Sequence, residues 1–398
     1  MRHTDIMSFR GKAAIAGIGE LKPSRYSEGE TTLTMLARAG LLAIEDAGIP
    51  FEEVDGLLTQ PLPETQMLAP STVIEFMGLR VNFAEVVDLG GATGAGMVWR
   101  AAAAITEGLC HACLCLTGAR REQRPEGRGG MGWGGMRDGS PYAEFEAPYG
   151  AVGANFGYAM IAMRYMHEYG LRPDELAKIA VEQRANACAN PNAIFYGQPI
   201  TVEDVLNSPL VVDPLRLLEI VMPVAGAAAV VVTSAERARS LPRSPVFILG
   251  AGERCTHKAI TYAPSLTDSA IQAAADAAFR MAGIRREDIG LASIYDCYTI
   301  TVLLTLEDAG FCRKGQGGRF VAEHSLRYDG DLPVNAHGGQ LSFGQAGLAG
   351  GMSHVTEAVR QLQGRAGERQ VKGLEFAFVN GNGGIMSEQV SLILGRNP

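Results

Sequence analysis

The chain has 398 residues, of which 47% are hydrophobic and 20% charged, so it has enough apolar side chains for a large core and is not intrinsically disordered. Its 35 Lys and Arg residues against 43 Asp and Glu residues give a net charge of −8, which argues against a nucleic-acid binder because phosphates select a basic surface. No apolar run approaches the roughly 20 residues of a membrane span, and the first residues lack the apolar core of a signal peptide, so we expect a cytoplasmic protein.

The first part of the chain alternates strand and helix patterns. The apolar run KAAIAGIGE from Lys12 predicts a strand, and helix-period apolar residues begin at Leu33 and end in the tripeptide AGI. A charged turn and a second apolar strand follow. The glycine-rich stretch VVDLGGATGAG from Val86 then leads into an alanine-rich helix and the apolar strand HACLCLTGA from His111.

Two motifs in this part of the chain argue against a bound metal or nucleotide. Cys113 and Cys115 alternate within an apolar strand, and no two cysteine pairs have zinc spacing, so small buried side chains are the favoured interpretation. The segment GIGELK around Gly17 lacks the third glycine of a dinucleotide-binding turn. We therefore predict no metal site and no nucleotide cofactor.

The segment 119–235 is predicted to be an insertion that also contains the end of the first half. It opens with a glycine- and arginine-rich loop and continues with two amphipathic helices, GYAMIAMRYMHEYG and PDELAKIAVEQRANACANP. The arginines of the loop either meet a phosphate or are simply solvated, and the solvated loop is favoured; they are Arg120, Arg121, Arg124, Arg128 and Arg137.

The elements before the insertion recur after it. The run VFILGAGE from Val246 repeats the strand from Lys12, and the AGI tripeptides at Ala47 and Ala282 are 235 residues apart. A repeat of this length indicates two homologous α/β halves. We predict an N-terminal half of residues 1–118 and 236–245, the insertion at 119–235, and a C-terminal half of residues 246–398.

Together these features resemble the thiolase superfamily, most closely its sterol-carrier-type branch. The resemblance is carried by VDLGGATGAG, DPLRLLEIVMPVAGAAAVVVTS from Asp213, YDCYT from Tyr295, VNAHGGQLSFGQAG from Val334 and VNGNGG from Val379. It implies an α/β thiolase fold, in which two duplicated halves form α-β-α-β-α layers and pack as a pseudo-dimer.

The resemblance also shows what this chain lacks. At the position of the family's nucleophilic cysteine stands Gly91, and the loop that supplies the activating histidine has Gln345. The loop that carries the second reactive cysteine reads NGNGG from Asn380. Because thiolysis needs a thiolate and a base to form it, ordinary thiolase activity is excluded.

The same positions retain polar side chains. If the loops converge as in the family, one pocket receives Tyr295, His337, Gln345, Asn380 and Asn382, and the backbone N–H groups of Gly383 and Gly384 line it. Gly91 is expected to leave room there for a bulky β-carbon of the substrate.

Cysteine-less members of this family include aldolases that shorten steroid side chains as CoA thioesters, and such a retro-aldol cleavage needs no covalent intermediate. Tyr295 or His337 would exchange the protons, and Gln345, Asn380 and the glycine-rich backbone would hold the enolate oxygen. The alternatives remain open: a capped core aromatic, a histidine bound only to backbone, and loop-structuring amides. Asp296 is expected to brace a loop or a helix N-terminus.

The resemblance implies partners as well. Such aldolases work with a small zinc-containing OB-fold protein, and family members form homodimers through the N-terminal half, where the run ACLCLTG would otherwise be an exposed edge. Coenzyme A is expected only as part of the substrate. Two further hypotheses are a non-catalytic lipid- or acyl-CoA-binding scaffold, and an acyltransferase completed by the partner.

Overall fold

The computed structural model describes residues 9–123, 140–151 and 153–398, so Arg124, Arg128 and Arg137 of the arginine-rich loop lie outside the described residues. The strands of this part are β1 Ala13–Glu20, β2 Gly56–Thr59, β3 Phe83–Val86, β4 Ala112–Ala119, β5 Leu210–Val212, β6 Leu215–Arg216, β7 Gly226–Ser234, β8 Val246–Cys255, β9 Leu291–Ile294, β10 Phe376–Gly383 and β11 Glu388–Gly395.

Thirteen α-helices lie in the same ranges. They are α1 Thr32–Ala47, α2 Ala69–Met77, α3 Thr93–Thr106, α4 Pro141–Phe145, α5 Ala154–Tyr169, α6 Pro173–Cys188, α7 Val202–Asn207, α8 Ala235–Ala238, α9 Ile271–Ala282, α10 Thr299–Asp308, α11 Gly317–Glu323, α12 Gly339–Ser342 and α13 Ala349–Leu362. The two helices predicted in the insertion are confirmed as α5 and α6.

Nine strands form one mixed sheet in the order β3-β2-β4-β7-β1-β8-β11-β10-β9. The first five come from the N-terminal part of the chain and the last four from the C-terminal part, and the two groups meet where β1 pairs with β8. Strand β4 lies between β2 and β7 and is fully buried, so the expectation that ACLCLTG forms an edge is wrong. Among the described strands, the edge on that side is β3, which pairs with β2.

Helices cover both faces of the sheet and give the predicted layers. Helix α1 packs on β1, β7 and β4, while α9 packs on β8 and β11. Helices α3 and α13 pack against each other and contact strands of both halves, and their apolar faces form one core between them. The layer order is therefore α1, the N-terminal strands, α3 with α13, the C-terminal strands and α9, and the two strand layers are joined where β1 pairs with β8. The domain boundaries at residues 118 and 245 stay a prediction.

Glycines in β1 and β8 set how closely the outer helices approach the sheet. A Cβ added to Gly19 would overlap the carbonyl oxygen of Ala39 on α1, and one added to Gly252 would overlap that of Ala274 on α9. Only glycine permits this contact between helix and strand backbones. The repeated Gly-x-Gly-Glu motif is thus a packing motif of each half.

Candidate active site

The site is centred on Tyr295, the residue directly after β9. Its backbone N–H donates to the Asn380 carbonyl of the neighbouring parallel strand β10 at 2.9 Å, which places the ring at the carboxyl ends of both strands. The side chain is 6% exposed, and its Oη accepts a hydrogen bond from Gln345 Nε2 at 2.8 Å. Tyr295 and Gln345 are therefore brought together as the sequence predicted.

The ring of Tyr295 occupies the space beside Gly91. A Cβ built on Gly91 would overlap Cζ and Cε2 of that ring and the carbonyl oxygen of Asn382. The space expected at Gly91 for a substrate β-carbon is thus already filled, and that expectation is wrong. The residue that replaces the family's nucleophile allows a tyrosine from the other half to reach the same point.

Burial keeps the Tyr295 phenol protonated. Desolvation, with a smaller effect from the neighbouring Cys297, raises the pKa of Tyr295 well above its usual range, although the hydrogen bond from Gln345 partly offsets this. A protonated phenol is a hydrogen-bond and proton donor. It takes up a proton only if its own proton leaves in the same step.

His337 lies apart from this phenol. Its ring is 1% exposed, and neither ring nitrogen has a hydrogen-bond partner among the described residues. The ring packs between Phe343 and His354, with centroid distances of 5.1 Å to each. Burial, followed by the neighbouring His354, lowers the pKa of His337 well below its usual value, so the imidazole is neutral.

His354 on α13, which sequence reasoning missed, lies between these two residues. Its ring centroid is 6.1 Å from that of Tyr295, and its Nε2 is 3.4 Å from Asp296 Oδ1. Ser293 Oγ lies 3.2 Å from its Nδ1, and Gln340 Nε2 lies 3.4 Å from its Nε2. A single histidine inside a helix of core periodicity gave no signal, because the fold alone brings these groups together.

Asp296 braces the short helix α12. Its carboxylate accepts the backbone N–H of Gln340 at 2.7 Å and of Leu341 at 3.2 Å. Burial raises the pKa of Asp296, while His354 and these N–H groups oppose the rise. The expectation that Asp296 caps a helix N-terminus is confirmed.

The amides of Asn380 and Asn382 are engaged within the protein. Asn380 Oδ1 accepts from Ser391 Oγ at 2.7 Å, and Asn380 Nδ2 donates to Gln389 Oε1 at 3.1 Å. Asn382 Oδ1 accepts from Gln389 Nε2 at 2.8 Å, and Asn382 Nδ2 donates to Tyr158 Oη at 2.9 Å. Gln389 and Tyr158, which the sequence did not single out, therefore hold the side chains that we expected to face the substrate.

The two glycine-rich loops meet at the site. A Cβ built on Gly90 would lie 3.1 Å from Gly383 Cα and 3.2 Å from Gly384 N, so the two loop backbones touch. The Gly384 carbonyl accepts from Tyr158 Oη at 3.1 Å. Gly91, Asn382, Gly383 and Gly384 thus surround Tyr295 and its neighbours as one shell.

The cysteines of β4 and of the YDCY loop lack the exposure of a reactive thiol. Cys113 and Cys115 are fully buried in β4, as the strand pattern predicted. Cys297 follows Asp296, and burial raises its pKa to about 12, so it is a thiol at neutral pH. Within the described ranges, no group of three or more metal-ligating side chains is found, and no helix is long and apolar enough to cross a membrane.

Comparisons with known proteins identify similar chains. A family described as thiolase C-terminal domain-like matches residues 252–396. A steroid side-chain-cleaving aldolase from Thermomonospora curvata is 37% identical over 366 residues, which are 89% of this chain and 91% of that protein. A 17-hydroxy-3-oxo-4-pregnene-20-carboxyl-CoA lyase from Mycobacterium tuberculosis is 34% identical and covers 97% of this chain and 99% of its own length.

Solved structures show the same relationship. The structure named Ltp2-ChsH2(DUF35) aldolase superposes with a TM-score of 0.87 at 34% identity and covers 98% of both chains. A monomeric SCP2-thiolase-like protein from Mycobacterium smegmatis superposes with a TM-score of 0.74 at 20% identity, which is a similarity of fold.

Proposed function

Because this chain belongs to the thiolase superfamily, in the branch that contains steroid side-chain-cleaving aldolases, we propose that Tyr295 carries the proton transfer of a retro-aldol cleavage. The enzyme is a carbon–carbon lyase. It cleaves a β-hydroxyacyl-CoA thioester with a bulky, steroid-like side chain and is not a thiolase. One observation carries the assignment: the Tyr295 ring fills the space at Gly91, where the family holds its nucleophile.

The reaction needs only the movement of one proton. As the β-hydroxyl loses its proton, the Cα–Cβ bond breaks, the β-carbon becomes a ketone or aldehyde, and the bonding electrons form the thioester enolate. As enolate character develops, a proton adds to Cα in the same step and gives the shorter acyl-CoA. Because the phenol of Tyr295 is held protonated by burial, it donates to Cα while the β-hydroxyl proton replaces its own. The phenol of Tyr295 is therefore protonated again at the end of each turnover.

Other groups of the site support this step. Gln345 orients the phenol and, with the backbone N–H groups of Gly383 and Gly384, holds the enolate oxygen. His337 is the second site for a proton, because its ring is neutral and both nitrogens lack a partner among the described residues. Asn380 and Asn382 act by fixing the loop that carries those glycines.

The assembly is also proposed here. The similar structure is named as a complex, Ltp2-ChsH2(DUF35) aldolase, which supports a second protein, and we infer a small zinc-ribbon/OB-fold partner for this chain. The edge strand β3, whose Val86 is 39% exposed, supports a homodimer through the N-terminal half. We place the enzyme in the cytoplasm, with coenzyme A bound only as part of its substrate.

One experiment tests the activity. The purified chain, with and without its partner, is incubated with a steroid-derived β-hydroxyacyl-CoA, and the products are analysed by mass spectrometry. We expect a steroid ketone and a shorter acyl-CoA in equal amounts. If the chain and its partner together give no product, the lipid- or acyl-CoA-binding function replaces the lyase, and transfer of the acyl group to free CoA would instead indicate an acyltransferase.

A further inference from the structure

A cavity of about 230 Å³ lies in the C-terminal half, outside the shell around Tyr295. Its walls are mainly apolar and come from four separate parts of the chain. We refer to it as the lateral cavity, lined among others by Ile161, Ile260, Ala273, Leu304, Ile385 and Met386.

The lateral cavity adjoins the elements that build the active site. Ile385 and Met386 directly follow Gly384 in the loop after β10, and Leu304 lies on α10, which begins just after the YDCY loop. Ile161 lies three residues after Tyr158, on the same face of α5. Because the Tyr158 hydroxyl donates to Gly384, one tyrosine joins the site loop to the wall of the cavity.

The wall formed by residues 256–270 is held in place at three points. Glu146 is buried and accepts the backbone N–H and the hydroxyl of Thr261, each at 2.8 Å. Lys314 Nζ donates to the Thr267 carbonyl at 2.5 Å. Asp308 accepts the Ser269 N–H at 2.8 Å. The cavity is therefore preformed, as ligand pockets usually are.

One polar atom at the cavity lacks a partner. His257 Nδ1 lies 2.8 Å from Thr256 Oγ1, but its Nε2 is buried and has no hydrogen-bond partner among the described residues. A buried nitrogen of this kind pairs with an oxygen of a ligand or of water. The lateral cavity therefore offers mainly apolar walls, polar side chains that include Arg254, Ser265 and Asp268, and one buried nitrogen without a partner in the described part of the chain.

We propose that the lateral cavity binds the apolar ring system of the substrate, with an oxygen of that ring system paired to His257 Nε2. After cleavage, the ring system leaves this cavity as the ketone product. This inference rests on the proposed lyase function and adds to it the site of the leaving group. An apolar polycycle gains most from burial against the apolar walls, whereas burying the charged CoA portion against them would cost free energy.

The decisive measurement is equilibrium binding of a tetracyclic steroid ketone to the full chain by calorimetry. Ala273→Phe and Ala263→Phe each place a ring in the cavity, and Ala322→Phe, on the exposed face of α11, is the matched control. We expect wild type and the control to bind alike, and the two cavity variants to bind at least about tenfold more weakly. Thermal melting establishes that each variant is folded. Two cavity variants are made so that the test remains possible if one of them does not fold.

A kinetic comparison separates this inference from the lyase function. For each variant, kcat/KM is measured with a steroid-derived β-hydroxyacyl-CoA and with a short-chain one. We expect Ala273→Phe to lower the ratio of the two values by about tenfold or more, while Ala322→Phe leaves it unchanged.

If the cavity variants bind the ketone as wild type does and keep the ratio, the lateral cavity is not the site, although turnover then still supports the lyase. If wild type and control bind the ketone, the cavity variants bind it more weakly, and no variant turns over any acyl-CoA, the site stands and the lyase fails.

Discussion

The two halves of the molecule share a frame but differ in what they place at its centre. In each half a Gly-x-Gly strand packs against an outer helix, and a glycine-rich loop leads into a central helix. The N-terminal loop contributes backbone and empty space at Gly91. The C-terminal half contributes the side chains, Tyr295 from the end of β9 and Gln345 from the loop before α13.

The difference teaches how a duplicated fold changes chemistry. The glycine-rich loops of both halves meet at one site. Where one half has only a glycine, a side chain from the other half can therefore occupy the space. The ring of Tyr295 stands in the gap at Gly91, so in the proposed reaction the proton-transferring group belongs to the second half. The backbones of the two glycine-rich loops remain in contact around the Tyr295 ring.

The comparison is tested most severely at Tyr295. Tyr295→Phe removes only the hydroxyl, so we expect kcat to fall by about 10²–10⁴-fold, the usual contribution of a proton-transferring group. The free energy of unfolding should change by about 1 kcal/mol, the value of the hydrogen bond from Gln345. Steady-state kinetics and denaturant unfolding measure the two effects. A variant with nearly normal turnover would move the proton transfer to His337 or to the partner.

Gly91→Ala tests whether the first half supplies only space. The added methyl group would overlap the Tyr295 ring and the Asn382 carbonyl, so the ring is displaced and kcat should fall by about 10²-fold. Unfolding should become easier by about 1–3 kcal/mol, as for other overpacked sites. Gly290→Ala is the control, because its new methyl group meets only the flexible end of Leu374. Full activity in Gly91→Ala would show that the ring does not need this space.

Gln345→Ala tests the second side chain of the C-terminal half. The variant loses the donor to the Tyr295 hydroxyl and the proposed donor to the enolate oxygen, so we expect kcat to fall by about 10²-fold. Gln345→Glu at neutral pH should be at least as inactive, since a carboxylate cannot donate to the phenol. If both variants keep wild-type kcat, Gln345 has no part in positioning Tyr295.

Much of the frame could be predicted from sequence, because repeated strand and helix periods and glycine spacing are local signals. The neighbours of a strand are not local: the run ACLCLTG indicated a strand, yet its place between β2 and β7 depends on the return of β7 after the insertion. For the same reason Gly91 and Tyr295 could be predicted to share one pocket, but the filling of the space at Gly91 by the Tyr295 ring could not.

Hydrogen-bond partners were the least predictable part of the site. Asn380 and Asn382 stand in the loop that the resemblance indicated, but their amides bind Gln389, which lies across the β10–β11 hairpin. His354 lies on the central helix α13, far from Asp296 in sequence, and only the tertiary packing brings the two side chains together. Residue type and position therefore predicted which loops converge, and side-chain geometry determined which groups are free.

The ion pairs on the two central helices, α3 and α13, should contribute differently to the free energy of unfolding. On α13, Glu357 is fully buried and pairs with Arg369 at 2.8 Å and Arg360 at 2.9 Å, whereas Arg100 on α3 pairs with the half-buried Glu253. Glu357→Gln leaves the buried Arg369 without its charge partner and Arg360 with Glu20 alone, so we expect a loss of about 3 kcal/mol in the free energy of unfolding. The control Glu253→Gln should cost about 1 kcal/mol or less. Equal losses would contradict the difference between the two helices.

The same residue predicts a pH dependence. Burial opposes its ionisation, but Arg369 and Arg360 outweigh burial and lower the pKa of Glu357 to about 2. A lowered pKa stabilises the folded state fully above the unfolded value of about 4.3 and loses that contribution as pH falls toward the folded value. Unfolding midpoints between these two pH values should therefore fall more steeply for wild type than for Glu357→Gln. Parallel curves would show that Glu357 is not the group that titrates.

The smallest effect is expected at the cysteines. The thiolate is the form that alkylating reagents attack, and burial, with Glu388 close by, raises the pKa of even the exposed Cys255 to about 12. Cys297 has a pKa of about 12 and is buried beside Asn382, so iodoacetamide should reach it only when the protein unfolds. We expect activity to survive alkylation at neutral pH, with peptide mass spectrometry identifying which thiols have reacted. A Cys297→Ala variant with normal kcat would be the matching genetic result. Inactivation that follows the modification of one cysteine would instead assign the chemistry to a thiol. The N-terminal half would then no longer provide only space, and the C-terminal half would no longer provide the reacting group.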